Sequence, residues 1–321
     1  MPPHPFSTWN GRPAHDVSRP ATLSAARFFF IFLAALTFAN AAETLSSSTD
    51  SNAAILAEAS RLVEAQRLPE AREPLENLLR REPKNLEAVL LLGRVYDRTG
   101  RRDQTIALLE PWIESHPDNV RLLGLYAGAC MLRAGELGVG FRALRLARRG
   151  RDLMERAVVL DPTDIAYREG LVDFYRQAPG LAGGSLAKAR AHADAIAAID
   201  PVRGAAWQAA ILLQDKKIPE ALAACDAALR ARPDDYIALF TLGKTVSESG
   251  LRLADGEAAL RRCLKAVPRP SEPSHAGVWY RLGRIAEHRK DLPAARAAYE
   301  ESLRLEPQFN RPAEAMARLD K

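Results

Sequence analysis

Cysteine is scarce in this 321-residue chain, and its scarcity removes whole classes of function. Cys130, Cys225 and Cys263 are too few for a disulfide framework, and no two stand at zinc-ligand spacing. The six histidines form no H-x3-H or H-E-x2-H pair, so no metal or cofactor is expected. A large excess of one charge is also missing: 45 basic against 40 acidic residues leave a net charge of +5, too little for a nucleic-acid footprint. Aromatics are only 7% of the chain, yet 47% of it is hydrophobic, which excludes global disorder. That length fits two ordinary domains or one elongated array.

One uninterrupted apolar run stands out, Phe28 to Phe38. It follows Arg12, Arg19 and Arg27 and precedes Ala39-Asn40-Ala41. A basic start, a short apolar run and an A-x-A site predict a signal peptide over 1–41, cleaved after Ala41. The expected location is then the periplasm or outside the cell. Its loss would lower the net charge from +5 to +3. The run is short for a membrane span, which needs about 20 apolar residues. A membrane tether therefore enters only as the alternative in which 28–38 is retained. Residues 42–51 are polar and read as a linker.

From residue 52 the chain is periodic. Pro83, Pro117, Pro162, Pro201, Pro233, Pro268 and Pro307 recur at spacings of 34, 45, 39, 32, 35 and 39 residues. Each is expected to close a helical stretch. Within one period, Trp279, Leu282, Gly283 and Ala286 precede Ala295, Tyr299 and Pro307. Val89, Leu92, Gly93 and Tyr96 precede Thr105, Leu109 and Pro117 in another, and Leu239, Leu242, Gly243 and Val246 precede Gly256, Leu260 and Pro268 in a third. The spacing puts each first set on one helical face. Glycines such as Gly93 and Gly283, and alanines such as Ala71, Ala221 and Ala295, are small where paired helices cross. The pattern resembles the tetratricopeptide repeat, W-x2-L-G-x2-Y, A-x3-F, P.

That resemblance implies an all-α fold, a solenoid of about seven helix pairs over 52–309. The units would be 52–85, 86–119, 120–164, 165–203, 204–235, 236–275 and 276–309. A capping helix over 310–321 would follow, with Ala313, Met316 and Leu319 on its apolar face.

Two units are irregular. The third has 11 extra residues; its first helix is expected over Val120 to Arg133 and a long second helix over Phe141 to Leu160, broken near Gly150. Phe141, Leu144, Leu153, Met154 and Ala157 would supply the apolar side of that second helix. Arg142, Arg145, Arg148 and Arg149 lie on it and form a candidate anionic-partner patch, against the plainer reading of a solvated face. The fourth unit contains the turn Pro179-Gly180-Leu181-Ala182-Gly183-Gly184-Ser185. Its glycines are not a phosphate-binding G-x4-G-K-[ST], since Lys188 stands four residues after Gly184. Ser185-Leu186-Ala187-Lys188 is S-x-x-K without the S-D-N and K-T-G motifs that this chemistry needs. Glycines making a turn and Ser185 capping a helix explain the segment. Together the long basic helix and this turn look like a recurring group of exported bacterial repeat proteins.

Family resemblance also implies a concave face lined by first helices and able to hold a peptide. Positions 5 and 9 of the units place Leu90 and Arg94, Glu169 and Asp173, Phe240 and Lys244, and Tyr280 and Arg284 there as candidate groove residues. No unit carries the Lys-then-Asn pair of carboxylate-clamping members. The expected function is a non-catalytic protein-interaction scaffold or adaptor of the cell envelope, with a protein or peptide partner. An enzyme with a site on the insert 136–189 is the weaker alternative, because no nucleophile, base and orienting group converge there by spacing. N-terminal sequencing of exported protein is expected to begin at Ala42; a mature chain starting near Met1 contradicts cleavage.

Overall fold

The computed structural model describes residues 52–269 and 272–319, so the expected leader 1–41 and linker 42–51 lie outside the described residues. Those residues are helical with no strand. Helix α1 spans 52–64. It is followed by α2 (Leu68–Arg81), α3 (Leu86–Arg98), α4 (Arg102–Ser115), α5 (Val120–Leu137), α6 (Phe141–Leu160), α7 (Ile165–Gln177) and α8 (Leu186–Ile199). Then come α9 (Pro201–Gln214), α10 (Ile218–Ala231), α11 (Tyr236–Ser249), α12 (Leu253–Cys263), α13 (His275–His288), α14 (Leu292–Leu305) and α15 (Asn310–Leu319). A 3-10 turn, Gly180–Ala182, lies between α7 and α8. None of the described helices is long and apolar enough to cross a membrane.

Two compact units divide between Ala129 and Cys130, inside α5. The first has a core of Ala71, Leu75 and Leu78 from α2 against Ala88, Leu91, Leu92 and Val95 from α3. The second has its largest core where α9 to α14 meet, around Cys225, Leu239, Leu242, Val246, Leu260, Val278 and Ile285.

Local chemistry sets the joints. Within a pair, a left-handed residue turns the chain: Gln66, Gly100, Lys216, Gly250 and Lys290 all have φ between 59° and 76°. Between pairs, a short side chain caps the next helix. Asn85 accepts from Ala88 N at 3.0 Å, Asp164 from Ala166 N at 2.8 Å, and Asp235 from Ile237 N at 2.9 Å. Each such cap contributes about 1 kcal/mol.

Several expectations need correction. Pro201 does not close α8 but opens α9, because a helix's first turn needs no donor at that position. Asp200 alone joins the two helices, ending α8 and capping Val202 N and Arg203 N at 3.0 and 3.2 Å. Gly150 does not break α6; it is buried in an unbroken helix beside Ala143, Ala147, Leu153 and Met154. Helix α5 runs one turn beyond Arg133, to Leu137. Phe141 is not on the apolar side of α6 but fully in solvent. On α15 the inward residues are Pro312 and Ala315, with Met316 and Leu319 partly covered, while Ala313 is exposed.

The one-residue joint at Asp200 forces a close approach. A Cβ on Gly204 would lie 2.3 Å from Ala197 Cα and 2.5 Å from its nitrogen, so helix backbone would have to move. Gly204→Ala is expected to cost about 1–3 kcal/mol in urea unfolding followed by circular dichroism. Gly128→Ala is the control: nothing lies within 4 Å of its Cβ position, and the exchange should be neutral or gain up to about 1 kcal/mol. Equal effects of the two substitutions would contradict the assignment.

Candidate functional site

First helices α7, α9, α11 and α13 of the second unit carry the residues that a groove would need. Most of them are already engaged. Glu169 is held by Arg203, Nε to Oε1 at 2.9 Å and Nη2 to Oε2 at 2.8 Å, and by Trp207 Nε1 at 3.0 Å. Asp173 is buried and accepts from Arg176 Nη2 at 3.0 Å and Gln177 Nε2 at 2.5 Å. Tyr280 is buried because Phe309, just before α15, packs on its ring edge at 5.5 Å and Tyr299 lies 5.8 Å away. Arg284 pairs with Glu287 at 3.1 Å. In the first unit, Leu90 is fully buried, and Arg94 acts on Glu87, which is bound by Arg121. Burial thus withdraws Leu90, Asp173 and Tyr280 from the candidate groove, and pairing occupies Glu169 and Arg284.

Phe240 and Lys244 are different. Phe240 is half-buried and packs against the core. Lys244 lies one turn further along α11 and is half-buried; among the described residues nothing hydrogen-bonds or ion-pairs with its Nζ. Loss of water pushes its pKa down to about 8, opposed by Glu248 and Asp173 and reinforced by Arg281 and Arg176. Those four side chains come from α7, α11 and α13, so charges on three first helices act on Lys244. Arg281, one position after Tyr280, donates from Nη1 to Glu248 at 2.8 Å and lies 5.2 Å from the Tyr280 ring centre. Position-5-and-9 reasoning missed Arg281 and Glu248 because they stand at positions 6 and 13. The arrangement can do one thing chemically: offer a cation with unspent hydrogen-bond donors beside a half-buried aromatic ring.

A second cluster was not visible from sequence. Glu155 of α6 accepts from Tyr175 Oη of α7 at 2.5 Å and lies 3.4 Å from His192 Nε2 of α8. The His192 ring stacks on Tyr175 at 5.8 Å, and Lys188 Nζ is 5.2 Å from the same ring. The His192 contact holds the Glu155 carboxyl below its ordinary range, while burial and Glu155 push the Tyr175 hydroxyl up. Tyr175 is buried, so the cluster ties three helices together rather than facing a substrate.

Elsewhere the plain readings suffice. In the Gly180–Ser185 turn the amides face inward: Gly183 N bonds Gly180 O at 2.9 Å, Gly184 N bonds Pro179 O at 3.1 Å, and Ser185 N bonds Tyr175 O at 2.8 Å. Those donors are spent on the chain itself and cannot cradle a phosphate. Ser185 Oγ caps Lys188 N at 3.3 Å. Cys225 and Cys263 are buried, and burial raises both thiols, Cys263 to about 12. No three His, Cys, Asp or Glu side chains gather as metal ligands among the described residues. Arg142, Arg145, Arg148 and Arg149 are all exposed along α6.

Stacked helix pairs with small residues at their crossings define an all-α solenoid of tetratricopeptide helix pairs. Residues 62–129 and 250–308 match two family models, each described as a tetratricopeptide repeat. Among solved structures the chain is similar to a tetratricopeptide repeat protein from Parabacteroides merdae ATCC 43184. That match has 16% identity over 83% of this chain and 97% of the other, with a TM-score of 0.60. It is also similar to TTC0263, a thermophilic TPR protein of Thermus thermophilus, at 17% identity over 61% and 98% of the chains and a TM-score of 0.50. A chain of the APC/C hetero-tetramer Cut9–Hcn1 is similar at 16% identity over 82% and 48%, with a TM-score of 0.50. At such identities the likeness is one of fold. No curated protein matches the chain. Scaffolds built of these repeats generally mediate protein–protein interaction without catalysis.

Lys244 gives a signed pH prediction. Its folded pKa, about 8, lies below its unfolded value of 10.5, so the unfolded chain binds more protons between those limits. The penalty is complete below pH 8 and is relieved as pH rises toward 10.5. Lys244→Met should therefore stabilise the protein at neutral pH by about 1–2 kcal/mol, allowing for partial exposure. The advantage should vanish at high pH in paired urea titrations. An advantage independent of pH would contradict this.

Proposed function

We propose that the chain is a non-catalytic scaffold of the cell envelope that holds a protein segment on the first-helix face of its second unit. The observation that carries the reading is Lys244: a partly desolvated ammonium with no hydrogen-bond or ion-pair partner among the described residues, one helical turn from the half-buried ring of Phe240. A desolvated cation costs stability in the free protein, and an anionic group on a partner offsets that cost. Phe240 supplies an aromatic anchor of the kind that dominates interfaces. The segment that fits presents an acidic side chain or chain-terminal carboxylate next to an apolar residue. Export rests on the basic start, apolar run and A-x-A site over 1–41.

A photocrosslinking residue at Phe240, introduced in the native host, tests the reading. It is expected to give a discrete protein adduct by mass spectrometry. Lys244→Glu should abolish that adduct while the circular dichroism spectrum stays unchanged. An adduct that survives Lys244→Glu, or no adduct at all, would contradict it.

A further inference from the structure

The start of α6 places large apolar side chains in water for no reason that folding supplies. Val139 is 104% exposed and Phe141 95%, and Leu181 of the neighbouring 3-10 turn is 81% exposed. Gly138 and Gly140, both at positive φ, flank Val139 and lift it clear of the helices. The turn is tied to α6: Arg148 Nη2 donates to Leu181 O at 2.8 Å and Arg151 Nη1 to Ala182 O at 3.5 Å. Ala182 is buried there with Ala147 and Ala134. Phe141, Arg145 and Arg148 are spaced i, i+4, i+7, so the Leu181 tip is anchored to the stripe that Phe141 begins.

Charge completes the surface. From Leu137 to Arg151 inclusive there are five arginines and no acid. Beyond them Asp152 is engaged by Arg151 at 2.7 Å. The first turn of α6 has no acidic residue and no side-chain cap, and Arg142 stands in it against the helix dipole. These choices weaken the helix locally, so stability does not explain them.

We infer that this corner docks on an anionic lipid surface, with Val139, Phe141 and Leu181 entering the headgroup boundary and Arg142, Arg145 and Arg149 on the phosphates. A soluble polyanion would engage the arginines but leave all three apolar tips in water. A bilayer takes up both. The inference is independent of Lys244 and of how residues 28–38 are processed.

The test uses the full chain with an environment-sensitive fluorophore on Val139→Cys, since all three native cysteines are buried. A second sample carries the label on Val267→Cys, 92% exposed beyond α12. With vesicles of phosphatidylcholine mixed with phosphatidylglycerol, the label at 139 should shift to the blue and the label at 267 should not. Pure phosphatidylcholine should give no shift at either. Each arginine near an anionic surface strengthens binding by about fivefold, so Arg145→Glu with Arg149→Glu should weaken the response at least about tenfold. No shift at 139 with the anionic vesicles overturns the proposal, as does an equal shift at 267. A response to heparin alone assigns the corner to soluble polyanions and overturns it too.

Discussion

Everything in this fold depends on how closely the two helices of a pair approach. A Cβ on Gly283 would lie 2.4 Å from the Tyr299 ring, and one on Gly243 would lie 2.3 Å from Leu260 Cγ. In these two pairs a large residue of the second helix fills the space that a missing side chain on the first leaves open. The low aromatic content follows: bulky residues are tolerated at few crossings, and alanine takes the rest. One pair cannot bury its own apolar face, so neighbouring pairs must stack. Stacking in turn fixes which side chains of the first helices stay accessible.

Ion pairs repeat with the same period as the packing. Arg121 meets Glu87, Arg203 meets Glu169, Arg281 meets Glu248, and Arg289 meets Glu257, each acid lying 32 to 34 residues before its arginine. The exposed members, Arg121 with Glu87 and Arg289 with Glu257, contribute about 0–1 kcal/mol each, so they set register more than stability. They also consume the charges that a groove would otherwise display. Lys244 stands outside the pattern, a first-helix cation with a desolvation cost and no hydrogen-bond or ion-pair partner among the described residues. The exposed tips at Val139 and Phe141 stand outside it in another way, as apolar groups that no packing claims.

The helix-pair architecture was legible because period, proline and small-residue crossings all pointed one way. The limits of α6, Phe141 to Leu160, were legible for the same reason. Gly150 misled because glycine usually weakens a helix, whereas here it is buried among neighbours that replace the lost propensity. Pro201 misled because a proline that stops one helix is equally suited to start another. The candidate groove was less legible. Family register places Tyr280 and Leu90 on the accessible face, but it carries no information about a following segment such as Phe309 that covers Tyr280. Glu169 looked available because its partner Arg203 lies 34 residues away. The Glu155, Tyr175 and His192 cluster leaves no trace at any short spacing, since three helices contribute one residue each.

The close approach at the helix crossings is tested most directly by a double-mutant cycle on Gly283 and Tyr299, read by urea unfolding. Gly283→Ala should cost about 1–3 kcal/mol with Tyr299 present. In the Tyr299→Leu background that cost should shrink, giving a coupling of about 1 kcal/mol or more. Additive effects, within about 0.5 kcal/mol, would mean that the glycine is not there to admit the facing ring.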